Sequence, residues 1–591
     1  MRILLLVTAF NALSQRIFVE LGEHAHEVSV EMDVNDERTI EAVDLFRPDL
    51  VIAPFLKRAI PKKVYENQCC MIVHPGIVGD RGPSALDWAM MDGATEWGVT
   101  VLEAATEMDA GPVWASASFA MRKATKSSLY RNEVTDAAVT AVLEAIARFE
   151  QGEKPIALEE QSVAPLGRWR DAIKQADRRI DWAADTTETV LKNIAAADGA
   201  PGVRDNLFGE TVFLFDAREA REPGADVPLA RGERGKISLP EPGAVVARSG
   251  PAIALVTVDG ALWIGHVRHP NSPHPFKLPA TMVFAKEVAG LPEIPLNSPG
   301  GYQDVIYEED GAVGYLHFPF YNGAMGKDAC RRLLDVYTKA TERPTRAIVL
   351  CGGPQFWSNG LDLNRIEAAD SAADESWVNI NAIDDLADAI IRTTSHITVA
   401  ALAGNAGAGG VFLARGTDQV WMRSSVILNP HYKDMGNLYG SEFWTYLLPS
   451  CCGAENARRI AAARLPMGAK EALNLNLANR VFAGASELFM AQVRASAAAL
   501  AGSAEFPWLL AEKQAQRATD EAAKPLSAYR EEELSRMRRN FYGFDPSYHV
   551  ARHNFVHKVP KSRTPVTIAR HRDVAWQAEG RRKASWATCR A

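Results

Sequence analysis

Met71-Ile72-Val73-His74-Pro75-Gly76 carries a short apolar run to an imidazole and then to two turn formers. An apolar run bounded by such residues reads as a buried strand, so His74 stands at a strand tip. Gly79-Asp80-Arg81-Gly82-Pro83-Ser84 continues as a polar loop, and Ala85–Asp92 has helical patterning. Ile3–Val7, Val28-Ser29-Val30, Leu50–Ala53 and Gly98–Glu103 are further strand candidates. Short apolar runs alternating with amphipathic stretches predict a layered α/β sheet, with a ligand at the strand ends and the loops that follow them.

The chain has 591 residues, which at one domain per ~150 residues predicts about four units. A formal charge of −8 gives no global electrostatic case for nucleic acid. With 47% hydrophobic residues, 13 Trp and 22 Phe, several cores can be buried and overall disorder is disfavoured. Seven cysteines include the adjacent pairs Cys69–Cys70 and Cys451–Cys452 without zinc-type spacing, which predicts packing thiols in a reducing compartment and no metal. The opening Met1–Val7 looks briefly like a signal peptide, but a strand–helix–strand reading fits it better. Ile397–Ala414 is uncharged over a membrane-like length, yet four glycines and Asn405 make it a strand, a glycine turn and a helix start. The expectation is a cytoplasmic protein with no membrane partner.

The expected domains are residues 1–160, a middle domain at 165–290 and a third at 302–545, with a C-terminal extension at 546–591. The middle region from Pro165 has strand-like runs at Thr211–Phe215, Ala252–Val258 and Ala261–Val267 between Gly/Pro turns, which predict a small antiparallel barrel. In the third region Val313–Phe318 and Thr345–Leu350 read as strands and Lys327–Ala340 as a helix, with an Ala-rich helical stretch from Ala454 to about Arg539. The basic tail Lys561–Ala591 is expected to be solvated or to pack on an acidic face.

A strand-end His near Asp109 can form an acid/base pair, in which the carboxylate orients the ring and the ring stabilises charge on a substrate oxygen. Residue types alone are also met by a turn-capping His and an Asp-Ala-Gly turn. Order and spacing say more. The run from Val73 through the Arg81-Gly82 loop, Gly98-Val99-Thr100 and Asp109-Ala110-Gly111 resembles the signature of folate-dependent formyltransferases and formyltetrahydrofolate hydrolases. Asp177–Trp182 and Asp198-Gly199-Ala200-Pro201-Gly202 resemble that family's smaller C-terminal domain. The resemblance implies a Rossmann-like domain binding 10-formyltetrahydrofolate, with His74 and Asp109 catalytic, and Pro54, Phe55, Arg81 and Gly82 about the folate. The family's catalytic Asn falls at Ile72, which donates no hydrogen bond; losing such a donor commonly costs about 3–4 kcal/mol in the transition state. Either another group substitutes, Arg81 among them, or the acceptor is more nucleophilic than an amine, as a thiol is.

Phe356-Trp357-Ser358-Asn359-Gly360-Leu361 and, some forty residues on, Ala403-Gly404-Asn405-Ala406-Gly407-Ala408-Gly409-Gly410 are two tight turns. Such turns can aim two backbone N–H groups at one carbonyl oxygen. The pair, with Asn322-Gly323-Ala324-Met325, resembles the crotonase (enoyl-CoA hydratase/isomerase) superfamily. It implies N–H donors at Leu361 and Gly409, supporting Gly360 and Gly410, and a coenzyme A thioester as ligand. The hydratase glutamate position holds Phe412, and no carboxylate sits at the second family position near His431. Hydration is therefore disfavoured. In the string His431–Trp444, Tyr432 and Glu442 are the candidates for proton transfer, with His431 near the ligand.

The fold class is thus multi-domain α/β: a Rossmann-like formyltransferase domain, an OB-like barrel and a crotonase-like domain with a helical C-terminus. The combination resembles a family of hydrogenase maturation proteins. That implies transfer of formyl from folate to coenzyme A and release of carbon monoxide for a [NiFe]-hydrogenase, whose maturation machinery would be the partner. Two other readings stay open: independent formyltransferase and acyl-CoA activities, or a non-catalytic maturation scaffold.

Overall fold

The computed structural model describes residues 1–161, 166–220 and 240–578. Pro165, the expected start of the middle domain, and Glu579 with the rest of the basic tail lie outside the described residues. The chain forms two compact units: one from Met1–Lys123, Ser128–Ile173 and the segment beginning at Pro560, the other from Ala124–Ser127 and Lys174–Val559.

In the first unit β1 (Arg2–Val7), β2 (Glu27–Met32), β3 (Leu50–Phe55), β4 (Cys70–His74), β5 (Glu96–Glu103) and β6 (Val113–Ala120) form one sheet in the order β2-β1-β3-β4-β5-β6. The first four strands are parallel, and β5 and β6 run antiparallel to their neighbours. Ile3 through Val7 are fully buried, as a parallel strand covered on both faces requires. Asn11 and Asn35 cap the helices Ala12–Glu23 and Asp36–Phe46, their side-chain oxygens accepting the N–H of Ser14 and Arg38. The helix Ala85–Met91 follows the polar loop.

Strand β2 is an edge, and the C-terminal segment covers it. Val30 N–H donates to the Ile568 carbonyl at 2.9 Å, and Met32 N–H to Thr564 Oγ1 at 2.8 Å. His571 is wholly buried between Ser29 Oγ (2.7 Å) and Glu31 Oε2 (2.9 Å). Arg572 donates to both oxygens of Glu31, each at 2.9 Å, and to Glu41. Trp576 packs against Phe46, ring centroids 5.5 Å apart. Within the described part of the basic segment, His571 and Arg572 thus lie on acids.

The second unit begins with β7 (Val203–Leu207), β8 (Glu210–Glu219), β9 (Val245–Ser249), β10 (Ala252–Val256), β11 (Ala261–Arg268) and β12 (Lys277–Pro279). They form an antiparallel sheet ordered β7-β8-β11-β10-β9, with β12 on β11. Ile253, Leu255, Leu262 and Ile264 bury one face against the helix Thr187–Ala197.

The remainder is a second sheet-and-helix assembly. Strands β13 (Ile306–Asp310), β14 (Val313–His317), β15 (Ala347–Gly352), β17 (Ile397–Leu402), β19 (Gln419–Arg423) and β21 (Arg480–Phe482) lie side by side in that order, parallel from β14 onward. Short strands β16 (Phe356–Ser358), β18 (Asn405–Gly407) and β20 (Leu428–Asn429) make a separate parallel sheet that carries the two glycine turns. Helices Lys327–Thr341 and Ala372–Arg392 fill one side of the large sheet, and Ser486–Gly502 the other. The stretch after Ala454 is not one helical run. Strand β21 interrupts it, because Arg480–Phe482 completes the sheet edge beside β19. Ile397–Ala414 is a strand, a turn and a helix start, and among the described residues no helix is long and apolar enough to cross a membrane. The six described cysteines are free thiols; burial pushes those of Cys69 and Cys451 up to about 12.

Glu31 is held below the ordinary glutamate range by hydrogen bonds from His571 and Arg572, which outweigh its burial. The stability this contributes is present above the unfolded-state value and is lost as pH falls through the lower folded value. Glu31→Gln is expected to destabilise the first unit by about 3–5 kcal/mol, the usual consequence of breaking a buried pair. Thermal unfolding, with proteolysis of the 564–578 segment, measures it.

Candidate active sites

In the first unit the end of β4 presents His74, which is 4% exposed. Its Nε2 lies 2.9 Å from Asp80 Oδ2 and its Nδ1 3.6 Å from Asp109 Oδ2. The sequence reading paired His74 with Asp109 alone; the structure adds Asp80 at the shorter distance. Asp109 has φ +51°, and its carboxylate also accepts the Gly82 N–H at 3.2 Å. Thus the loop glycine orients the second acid.

Asp80 is placed by a segment remote in sequence. Residues 167–171 run along the loop: Arg81 N–H donates to the Arg168 carbonyl, and Arg170 N–H to that of Arg81. A β-carbon on Gly167 would lie 1.8 Å from the Asp80 nitrogen, and one on Gly76 2.4 Å from His74 Nε2. Glycine is needed at both close approaches. Ile72 lies two residues before His74 on the same strand, opposite Leu102 and beside Ala53. Pro54 and Phe55 end β3, and the Phe55 ring meets Tyr130 edge-on at 6.5 Å. Arg81 pairs with Glu107 at 3.0 Å.

In the second unit the two glycine turns meet. A β-carbon on Gly360 would lie 3.4 Å from the Gly409 nitrogen, and one on Gly410 2.3 Å from the Ser358 carbonyl oxygen. Gly409 is the first residue of the helix Gly409–Arg415, where N–H groups have no partner within the helix. Leu361 bridges Met325, whose N–H donates to the Gly360 carbonyl at 2.8 Å. Beside these turns stands Glu442. A β-carbon on Gly409 would fall 2.0 Å from Glu442 Oε1. Tyr432 Oη is 2.6 Å from Glu442 Oε2, and the Tyr432 ring stacks on Phe412 at 5.4 Å and 19°. Phe412 therefore supports the tyrosine that faces Glu442.

Burial, and then the charge of Asp384, push Glu442 up to about 8. Burial and the Glu442 charge raise Tyr432 well above its ordinary value. Burial lowers His431, and its Nδ1 is buried with no partner among the described residues, as is Trp444 Nε1. Such orphaned polar atoms mark a place where a ligand group or water completes the hydrogen bonding. The structure thus brings together Gly360, Leu361, Gly409, Gly410, Tyr432 and Glu442. It also brings in Asp384 and Glu533, which the sequence reading missed.

Elsewhere in this unit Glu367, His553 and His557 have the spacing of metal ligands. Arg552 Nε already holds the same carboxylate at 2.7 Å and supplies its counter-charge.

Comparison with known proteins accords with this geometry. The formyl transferase model matches residues 11–146, the formyl transferase C-terminal domain model 172–274, and the enoyl-CoA hydratase/isomerase model 313–542. Hydrogenase maturation factor HoxX of Bradyrhizobium diazoefficiens is 57% identical over 576 residues, 97% of either chain. The chain belongs to the HoxX family of hydrogenase maturation factors. Two crystal structures of HypX from Aquifex aeolicus are similar to this HoxX-family chain throughout. A doubly substituted variant has TM-score 0.91 and 44% identity, covering 98% of this chain and 100% of that one. The complex with tetrahydrofolic acid has TM-score 0.90 and 45% identity, covering 97% and 99%. The HoxX-family chain thus joins formyltransferase domains to a crotonase-type domain, and both are enzyme folds.

Gly440 has φ +91°, and a β-carbon there would lie 2.1 Å from the Tyr432 ring. Gly440→Ala is expected to destabilise the second unit by about 1–3 kcal/mol through overlap. In thermal unfolding, a double-mutant cycle with Tyr432→Ala should recover part of that loss.

Proposed function

We propose that this HoxX-family protein moves the formyl group of 10-formyltetrahydrofolate to coenzyme A and cleaves the resulting formyl-CoA to carbon monoxide and coenzyme A. The carbon monoxide would serve as a ligand in [NiFe]-hydrogenase maturation, a cytoplasmic role beside that machinery. The observation that carries the reading is the second site: crotonase-type turns next to a buried Tyr432–Glu442 pair, with Phe412 where a hydratase needs an acid. That arrangement supports thioester polarisation and proton movement without water addition. The relative crystallised with tetrahydrofolic acid supports folate as the formyl carrier.

In the first step the thiol sulfur attacks the formyl carbon, the C–N10 bond breaks, and the thiol proton ends on N10. His74, flanked by Asp80 and Asp109, meets the developing oxyanion. The two carboxylates, one at each ring nitrogen, hold the imidazole in place there. Asp109 accepts the thiol proton or orients the ring. In the second step the N–H groups of Leu361 and Gly409 hold the formyl oxygen. The C–H and C–S bonds break, the C–S electron pair stays on sulfur, and the carbon-bound proton is carried to sulfur by Glu442 and Tyr432. No oxidant or reductant enters.

Purified protein given 10-formyltetrahydrofolate and coenzyme A should release carbon monoxide, trapped on reduced haemoglobin. His74→Ala should lower that rate by about 10²–10⁴-fold, the range for a positioned acid/base group. It should leave release from supplied formyl-CoA intact. Absence of carbon monoxide above the His74→Ala background would overturn the reading, and formate release without coenzyme A would favour independent activities.

A further inference from the structure

Glu442 shares its pocket with two other acids. Asp384, Glu442 and Glu533 are each at most 1% exposed. Ser441 Oγ stands 2.8 Å from Asp384 Oδ2 and 3.4 Å from Glu533 Oε2. The Glu442 N–H donates to Asp384 Oδ1 at 2.9 Å, the Phe443 N–H to Glu533 Oε2 at 2.9 Å, and the Thr445 N–H to Glu533 Oε1 at 2.8 Å. Glu442 and Phe443 are consecutive residues in the left-handed region, φ +57° and +59°. Non-glycine residues avoid that region unless their surroundings impose it. Here Asp384 and Glu533 impose it, one gripping each successive N–H.

The groups facing Glu442 come from four elements. Cys330 lies on the helix Lys327–Thr341 and Asp384 on Ala372–Arg392; Arg530 and Glu533 lie on the helix Leu526–Tyr542, and Tyr432 in the loop after β20. Arg530 brings the positive charge, but its Nε is 4.0 Å from Asp384 and its guanidinium is committed to Asp385 at 2.6 Å. Three buried carboxyls with one distant cation are a poor stability device.

The phenol and a backbone amide hold the same carboxyl: Tyr432 Oη donates to Glu442 Oε2 at 2.6 Å and lies 2.9 Å from the Ser441 carbonyl oxygen, and the Ser441 N–H donates to Glu442 Oε2 at 3.2 Å.

We propose that Asp384 and Glu533 are positioning residues for Glu442: they fix the Glu442–Phe443 turn and, as buried acids beside it, hold Glu442 in its neutral, proton-donating form. This inference rests on the reading of Glu442 as the group that moves the proton during formyl-CoA cleavage. A neutral carboxyl suits that step. The reaction shifts one proton from carbon to sulfur, and a carboxylic acid can accept on one oxygen while donating from the other, leaving its own charge unchanged.

The test uses the full chain with supplied formyl-CoA, following carbon monoxide on reduced haemoglobin across pH. Wild-type release should fall as pH rises through about 8, where Glu442 ionises. Asp384→Asn removes a neighbouring negative charge, so it should move that fall to lower pH, by about one unit. Glu533, itself pushed up by burial to about 8, titrates alongside Glu442, and Glu533→Gln should move the fall in the same direction. Each should recover most of the wild-type rate on the acid side, which a merely misfolded variant would not do. Unshifted profiles beside an inactive Glu442→Gln overturn the positioning role alone; full release by Glu442→Gln overturns the reading beneath it. Independently of activity, the infrared difference between wild type and Glu442→Gln at neutral pH should contain a protonated-carboxyl band. Its absence overturns the inference even if Asp384→Asn does not fold.

Discussion

The carboxyl of Glu442 fills the space beside the Gly409 backbone that a β-carbon would otherwise claim. Much of the second site follows from that contact. Gly409 has to lack a side chain, and the helix it opens presents its first N–H at the same place. Phe412, one turn along, is free of any acidic duty and becomes the platform under Tyr432. Gly440 has to leave room for the tyrosine ring. An acid from a different part of the chain thus stands beside the helix that Gly409 opens, and the surrounding small residues make room for it.

The first site obeys a different constraint. A strand tip fixes His74, but two loops and a returning segment supply the acids about it. The imidazole faces one carboxylate through each nitrogen. The two sites therefore differ in kind: one sets a ring between two acids, the other sets three acids together out of solvent.

The order of elements was legible because apolar runs and turn formers are local signals. His74 at a strand tip and the two glycine turns could be read from local pattern, and the two domain families from the resemblance those motifs carry; Tyr432 and Glu442 stood only as candidates within one string. Asp80 was not, since a loop aspartate reads as solvated until residues 167–171 fold against it. Asp384 and Glu533 sit on amphipathic helices far from Glu442 in sequence, where an acid reads as part of a polar face. Strand β21 was hidden within an Ala-rich helical stretch, because three residues completing a sheet edge leave no periodicity to detect. Long-range pairing decided each of these, and a single sequence carries little trace of it.

The cover over β2 has a consequence for biosynthesis. The first sheet emerges early from the ribosome, yet the groups that close its edge, Thr564 and Ile568, come more than five hundred residues later. Without those groups the outward-facing Val30 and Met32 amides of β2 form an open strand edge, a template for unwanted strand addition. The edge of β2 can be sealed only once the Thr564–Trp576 stretch has been made.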